Sequence, residues 1–248
     1  MTKNTTDLAL IIQALEFSAT KHKDQRRKDV DASPYINHPI ALAKTLCVDG
    51  GVTDVNVICG ALLHDTIEDT KTTAEELTAI FGEAITKIVQ EVTDDKTLTP
   101  EVRKLLQIEH AAHASHQAQL IKLADKICNL HDIHHCPPTD WSITRKQEYF
   151  DWAKKVVDKI RDASPELSLI FDELYAQKGV KMSVKVNDYN DPKYYGDFEG
   201  GIDDDETEEA ANVNLVTNRI KPEGVFGADD RANYIAYLKA NNIDTTGW

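Results

Sequence analysis

Several signatures are missing from this sequence, and each absence removes a class of function. No run of about 18 apolar residues occurs, so no segment reads as a membrane helix. The start, Met1 to Asp7, lacks the charged-then-apolar layout of a secretory leader, which predicts a cytoplasmic chain. Cysteine is scarce: Cys47, Cys59, Cys128 and Cys136 include no Cys-x-x-Cys pair and read as reduced, mostly structural thiols. An excess of positive charge is also missing. A formal net charge of −14 argues against a surface that wraps nucleic acid by counterion release, while leaving room for a local basic pocket around a small anion. There is no Gly-x-x-x-x-Gly-Lys phosphate loop, no Gly-x-Ser-x-Gly elbow and no Rossmann glycine pattern. What remains open is metal-assisted chemistry.

The material that is present suffices for one main core, with 41% hydrophobic residues over 248 positions. From Leu8 to Ala176 apolar residues recur at three-to-four spacing, as in Leu77, Ile80, Phe81, Ile85, Ile88 and Val89, and period-two alternation is absent. The fold class expected is all-α. Thr73 with Glu76 suggests a capping box, and Thr99-Pro100 and Ser164-Pro165 place proline at a first helical position. Helices are predicted near 7–23, 38–49, 53–66, 73–81, 83–92, 100–112, 116–135, 140–162 and 165–177. Val55 to Leu63 is apolar nearly all round, the pattern of a helix buried in the middle of a bundle.

After Lys178 the character changes. Residues 1–178 carry 21 basic and 28 acidic side chains, whereas the shorter 179–248 carries 7 and 14, a denser imbalance. The expected organisation is a helical domain over 1–178 and an acidic C-terminal extension over 179–248. Acidic, glycine-containing sequence near 187–212 reads as linker or disorder, and Ile235 and Leu238 give 229–241 a weak amphipathic pattern.

The buried helix runs straight into His64-Asp65-Thr66-Ile67-Glu68-Asp69, three carboxylates and an imidazole at what reads as a helix C-terminus. Like charges at i,i+4 and the macrodipole both disfavour such crowding, and a divalent cation would reverse both penalties. Water-facing acids at a helix end are the plain alternative. His38, followed by Pro39, stands at a predicted helix mouth. Asp125 and Asn129 share one helix face amid aliphatic residues, where an acid needs a partner. Gln25-Arg26-Arg27-Lys28 supplies a cationic cluster suited to phosphate or to a base. Rival imidazole clusters exist at His131, His134 and His135 beside Cys136, and at His110, His113 and His116. They rank lower because they lie in polar surroundings without a set of carboxylates that would orient and complete a catalytic site.

Taken together, Arg27-Lys28-Asp29, Pro34 to Pro39, Ala61 to Asp69, Glu91 to Lys96, and Lys122 to Lys126 with Asn129 resemble the hydrolase domain of RelA/SpoT-type alarmone enzymes. Within that family they are most similar to the stand-alone small alarmone hydrolases of the metazoan SpoT-homologue kind, over about residues 5–178. The resemblance implies an HD-domain helical bundle in which His38, His64, Asp65 and Asp125 ligate a metal, usually Mn²⁺, although two imidazoles with two carboxylates also suit Zn²⁺ or Fe²⁺. It implies Glu68 and Asp69 as the acid pair that activates water. Arg27 and Lys28 match contacts to guanine and phosphate, and Tyr35 and Asn129 match positions lining the nucleoside. Lys96 and Arg145 are assigned to a 5′-diphosphate on charge alone.

The implied reaction removes the 3′-diphosphate from guanosine 3′,5′-bis(diphosphate) or the pentaphosphate, giving GDP or GTP and pyrophosphate. Synthesis is not expected, because about 70 polar residues are too few for the family's synthetase domain. Two other readings stay open: another 2′- or 3′-phosphorylated nucleotide such as NADPH, which a related small hydrolase accepts, and an antitoxin-like partner of a toxic synthetase. The extension leaves a protein partner or a second copy of the chain as candidate contacts.

Overall fold

The computed structural model describes residues 6–179, and among these the chain is helical with no strand beyond one isolated bridge, Arg26 to Pro34. The acidic extension, the 187–212 linker and the 229–241 segment expected from the sequence lie outside the described residues. The helices are α1 (Asp7–Lys21), α2 (Asn37–Lys44), α3 (Val55–Leu63), α4 (Thr66–Asp69), α5 (Ala74–Phe81), α6 (Glu83–Val92), α7 (Pro100–Ala111), α8 (His116–His135), α9 (Ile143–Val157) and α10 (Pro165–Ala176). A π-helical turn, Thr45–Asp49, extends α2.

Local chemistry explains most of the boundaries. Side-chain oxygens of Thr6, Asp54, Thr73, Thr99, Ser115, Ser142 and Ser164 accept backbone N–H groups that the first turns of their helices leave without partners. Only half of the capping box at Thr73 forms. Glu76 N–H donates to Thr73 Oγ1, but the Glu76 carboxylate turns away to Lys21 Nζ at 2.8 Å, because a charged partner outbids the reciprocal cap. The helix predicted over 140–162 is shorter. Ser142 caps its start, and it ends at Val157, followed by a 3₁₀ turn at Arg161–Ala163.

Helix α3 lies between two apolar clusters, as its all-round hydrophobicity requires. Val57, Ile58 and Ala61 face a cluster built with Leu123, Ile127, Phe150, Val156 and Phe171 from α8, α9 and α10. Cys59, Leu62 and Leu63 face the other way, onto Ala14, Leu77, Phe81, Ile85 and Val89. Gly60 lets the neighbours approach: a Cβ there would stand 2.9 Å from Ile88 Cγ2 and 3.0 Å from Ile121 Cδ1. Gly60→Ala is expected to lower stability by about 1–3 kcal/mol through overpacking, read as a reduced thermal midpoint. An unchanged midpoint would mean that the two isoleucines move aside freely.

The continuous helix predicted over 53–66 is broken. His64 is still helical, but Asp65 has φ −96° and ψ 0°, in the bridge region common at active sites, before the chain restarts as α4. At this step the Thr66 hydroxyl occupies an acceptor of the helix ladder, Thr66 Oγ1 donating to Leu63 O at 2.6 Å. The three acids are therefore not stacked at one C-terminus. Asp65 sits on the break, and Glu68 and Asp69 sit on the short helix beyond it.

Candidate active site

The break aims two adjacent side chains at one point. His64 Nδ1–H donates to Ala61 O at 2.8 Å, which orients the ring and turns Nε2 toward the cleft. That Nε2 is buried and has no aligned hydrogen-bond partner, although Asp65 Oδ2 is only 2.8 Å away. Without a cation the Asp65 carboxylate favours a proton on the His64 imidazole, and a divalent ion would take that proton's place, since ligand atoms at about 2.1 Å from one metal stand roughly 3 Å apart. His38, on the first turn of α2, brings its ring to 5.3 Å from that of His64. Ligand atoms of His38, His64 and Asp65 all lie within 4.8 Å of one another, the only such group of three among the described residues.

Asp125 stands beside this group rather than inside it. Its Oδ1 is 3.2 Å from His38 Nε2, accepts from Asn129 Nδ2 at 2.7 Å, and its Oδ2 accepts from Lys126 Nζ at 2.9 Å. Three members of the expected ligand set thus converge, and the fourth adjoins them. The rival imidazoles do not: His131 and His135 stack on each other at 4.2 Å, and His135 Nδ1 is engaged by His131 O.

The electrostatics favour a cation here. Burial opposes charge on His64, yet the Asp65 carboxylate and then Asp125 lift its pKa to about 9. Burial should raise Asp65 and Asp125, but His64 and His38 hold the first, and Lys126 and His38 the second, well below the usual carboxylate range. Tyr35 Oη donates to Asp65 Oδ2, and burial with that carboxylate pushes the phenol's pKa up, so it stays a donor. The residues present therefore fit a divalent metal: a buried imidazole nitrogen without an aligned hydrogen-bond partner, and carboxylates kept ionised.

Around this centre a solvent-open cleft is lined by Arg27, Tyr35, Glu68, Asp69, Asn129 and the ligand residues among others, a wall rich in charged and polar groups suited to a polar, anionic ligand. Glu68 Oε2 accepts the Asp94 backbone N–H at 2.9 Å, and Arg103 Nη1 lies 3.6 Å from Oε1. Burial raises Glu68 to about 7, helped by the charges of Asp94, Asp65 and Asp69 and opposed by the Asp94 N–H. Asp69 is held differently. Gln25 Nε2 donates to its Oδ2 at 2.8 Å, His22 Nδ1 meets Gln25 Oε1 at 2.7 Å, and Lys96 Nζ reaches Oδ1. The like charges at 65 and 69 are thus separated by giving each its own partners.

Other sequence-predicted residues sit further out. Lys96 is exposed and reaches the cleft through Asp69. Lys28 is exposed and absent from the lining, and Arg145 is exposed with its guanidinium 4.5 Å over the Trp141 ring. Sequence reasoning passed over Asp94, Gln107, Lys122 and Lys126, all of which line the cleft. Lys122 and Lys126 had a readable signal, since with Asp125 and Asn129 they complete an i, i+3, i+4, i+7 stripe on α8.

Residues 14–151 match the family described as HD domain. A zebrafish (Danio rerio) protein named guanosine-3′,5′-bis(diphosphate) 3′-pyrophosphohydrolase MESH1 is 49% identical over 179 residues, covering 72% of this chain and 99% of its own. The chain belongs to the MESH1 family of HD-domain proteins. The human (Homo sapiens) MESH1 protein is 47% identical over 175 residues, covering 71% of this chain and 98% of its own. A solved structure described as "A metazoan ortholog of SpoT hydrolyzes ppGpp and plays a role in starvation responses" is 46% identical, with a TM-score of 0.67 over 69% of this chain and 96% of that one. The MESH1 family match agrees with the all-helical HD fold and with the resemblance read from the motifs.

Proposed function

We propose that this chain hydrolyses guanosine 3′,5′-bis(diphosphate) and its pentaphosphate relative at the 3′ position, giving GDP or GTP and pyrophosphate. The observation that carries the reading is the convergence of His38, His64 and Asp65 within 4.8 Å of one another in a polar cleft walled by Glu68 and Asp69. The names of the MESH1 relatives support the same substrate.

His38, His64, Asp65 and Asp125 would hold the metal, for which we assign Mn²⁺, with Zn²⁺ or Fe²⁺ equally suited to the donors. When bound, such an ion supplies Lewis-acid polarisation of a phosphoryl oxygen and makes a nearby water more acidic. In the reaction a water oxygen joins the phosphorus next to the 3′-oxygen, and the bond between that phosphorus and the 3′-oxygen breaks. The water loses a proton and the departing oxygen gains one. Glu68, with a pKa near 7, is matched to accept the water's proton at neutral pH. Asp69, fixed by Gln25 and Lys96, orients that water. Arg27, Tyr35 and Asn129 line the cleft and are assigned to the guanosine, with Lys28 as an outlying contact to guanine or phosphate. Lys96 and Arg145 are assigned to the 5′-diphosphate; for Arg145 only its charge supports this.

The test is chromatographic identification of products after incubating the full chain and Mn²⁺ with the tetraphosphate, the pentaphosphate and NADPH side by side. Pyrophosphate with GDP or GTP is the expected outcome. Phosphate release from NADPH alone would replace the reading with a 2′-phosphatase.

A further inference from the structure

Helix α8 turns four polar side chains toward the cleft: Lys122, Asp125, Lys126 and Asn129. Three of them satisfy one another, since Asn129 and Lys126 both donate to Asp125. Lys126 also has its ammonium 4.4 Å over the Trp152 ring. Lys122 stands apart. It is 7% exposed, between the buried Ile121 and Leu123, and among the described residues it makes no hydrogen bond and no ion pair within 4.0 Å. The other cations at the cleft are engaged: Arg27 with Asp132 at 2.5 Å, Lys96 with Asp69, and Arg103 with Glu68 at 3.6 Å.

The Lys122 stem is buried while its ammonium faces the cleft, where among the described residues no protein group stands close enough to pair with it. Burial first, then the charge of Lys126, pulls the Lys122 pKa below its ordinary value, while Asp94, Asp125 and Glu68 oppose this from a distance. An oxyanion brought into the cleft would relieve both effects. Position says which part of the substrate that is. Lys122 precedes Asp125 by one helical turn and lines the same cleft as Glu68, so it belongs to the reacting end, whereas Lys96 is exposed and outside that lining.

We infer that Lys122 is the cation that receives the transferred 3′-diphosphate group and holds it as pyrophosphate once its bond to the 3′-oxygen is broken. This rests on the hydrolase reading above. A charge-assisted contact from this ammonium would favour diphosphorylated over uncharged 3′ positions, because no protein counter-charge stands within 4.0 Å of it among the described residues.

The test uses the full chain loaded with Mn²⁺ and two variants, Lys122→Met and Lys122→Gln. Turnover of guanosine tetraphosphate is measured together with inhibition by inorganic pyrophosphate and, separately, by GDP. The expected results are a kcat/KM lower by on the order of 10- to 100-fold and pyrophosphate inhibition weakened to a similar degree. GDP inhibition, metal content and thermal midpoint should stay at or above wild-type levels. Wild-type pyrophosphate inhibition in both variants overturns the inference, as does weakened GDP inhibition with pyrophosphate inhibition intact, which would move the contact to the 5′-diphosphate. A lowered midpoint with intact pyrophosphate inhibition assigns Lys122 a structural role and also overturns it. If wild type itself releases no pyrophosphate from the tetraphosphate, the hydrolase reading has failed, a result distinct from all of these.

Discussion

Asp65→Ala should lower turnover by at least about 1,000-fold and strip the protein of its metal, because several kcal/mol of charge stabilisation depend on the ion staying in place. Asp65 is the only carboxylate in the close three-residue group, and its Oδ2 lies 2.8 Å from His64 Nε2 while accepting the Tyr35 hydroxyl. Its loss leaves two imidazoles with no anion between them and a phenol with no acceptor. Elemental analysis after dialysis, run beside a pyrophosphate-release assay, checks both parts. Wild-type turnover by a variant that still carries one ion per chain would remove Asp65 from the centre and with it the proposed chemistry.

Glu68→Gln should cost 100- to 10,000-fold in kcat, roughly the range for loss of a general base, with metal content unchanged. The pH dependence separates this role from a purely structural one. Burial raises the carboxyl to about 7, so at lower pH it holds its proton and cannot take another. Activity of the wild type is then expected to fall on the acid side, with the limb shifted below 7 when a bound cation favours the carboxylate, and the glutamine variant should lack that limb. The stability sign is opposite to that of an ordinary paired acid. A carboxyl whose folded pKa lies above its usual 4.5 contributes stability that is complete below 4.5 and lost as pH rises through about 7. The metal-free glutamine variant should therefore melt no lower than metal-free wild type at pH 8. An acid limb that survives in the variant would transfer the base role elsewhere, with Asp69 the next candidate by position.

The sequence was most legible where a short-range rule governs. Ser and Thr caps, proline at first helical positions and the all-round apolarity of Val55 to Leu63 each act within a few residues, and the helices appear where those signals put them. The close group of His38, His64 and Asp65 was legible in part for a related reason: His64-Asp65 is a local crowding of charge that needs explaining. What stayed hidden depends on distance along the chain. Gln25 reaches Asp69 across 44 positions and the Asp94 N–H reaches Glu68 across 26, and no periodicity encodes either pairing. The break at Asp65 was hidden for another cause. Helical period continues through it, and the Thr66 hydroxyl's bond to Leu63 O leaves no periodic trace in the sequence. Lys122 and Lys126 were passed over because a lysine on a helix is ordinarily solvated, whereas here both are buried.

Helix α3 is gripped on opposite sides by separate apolar clusters, and the imidazole at its end is tied to the backbone one turn back. If that imidazole holds a cation as proposed, it cannot swing away when the cation departs. The ion should enter and leave a rigid socket, with its exchange rate limited by shedding its hydration shell and passing the cleft mouth, and the surrounding helices should look the same with or without it.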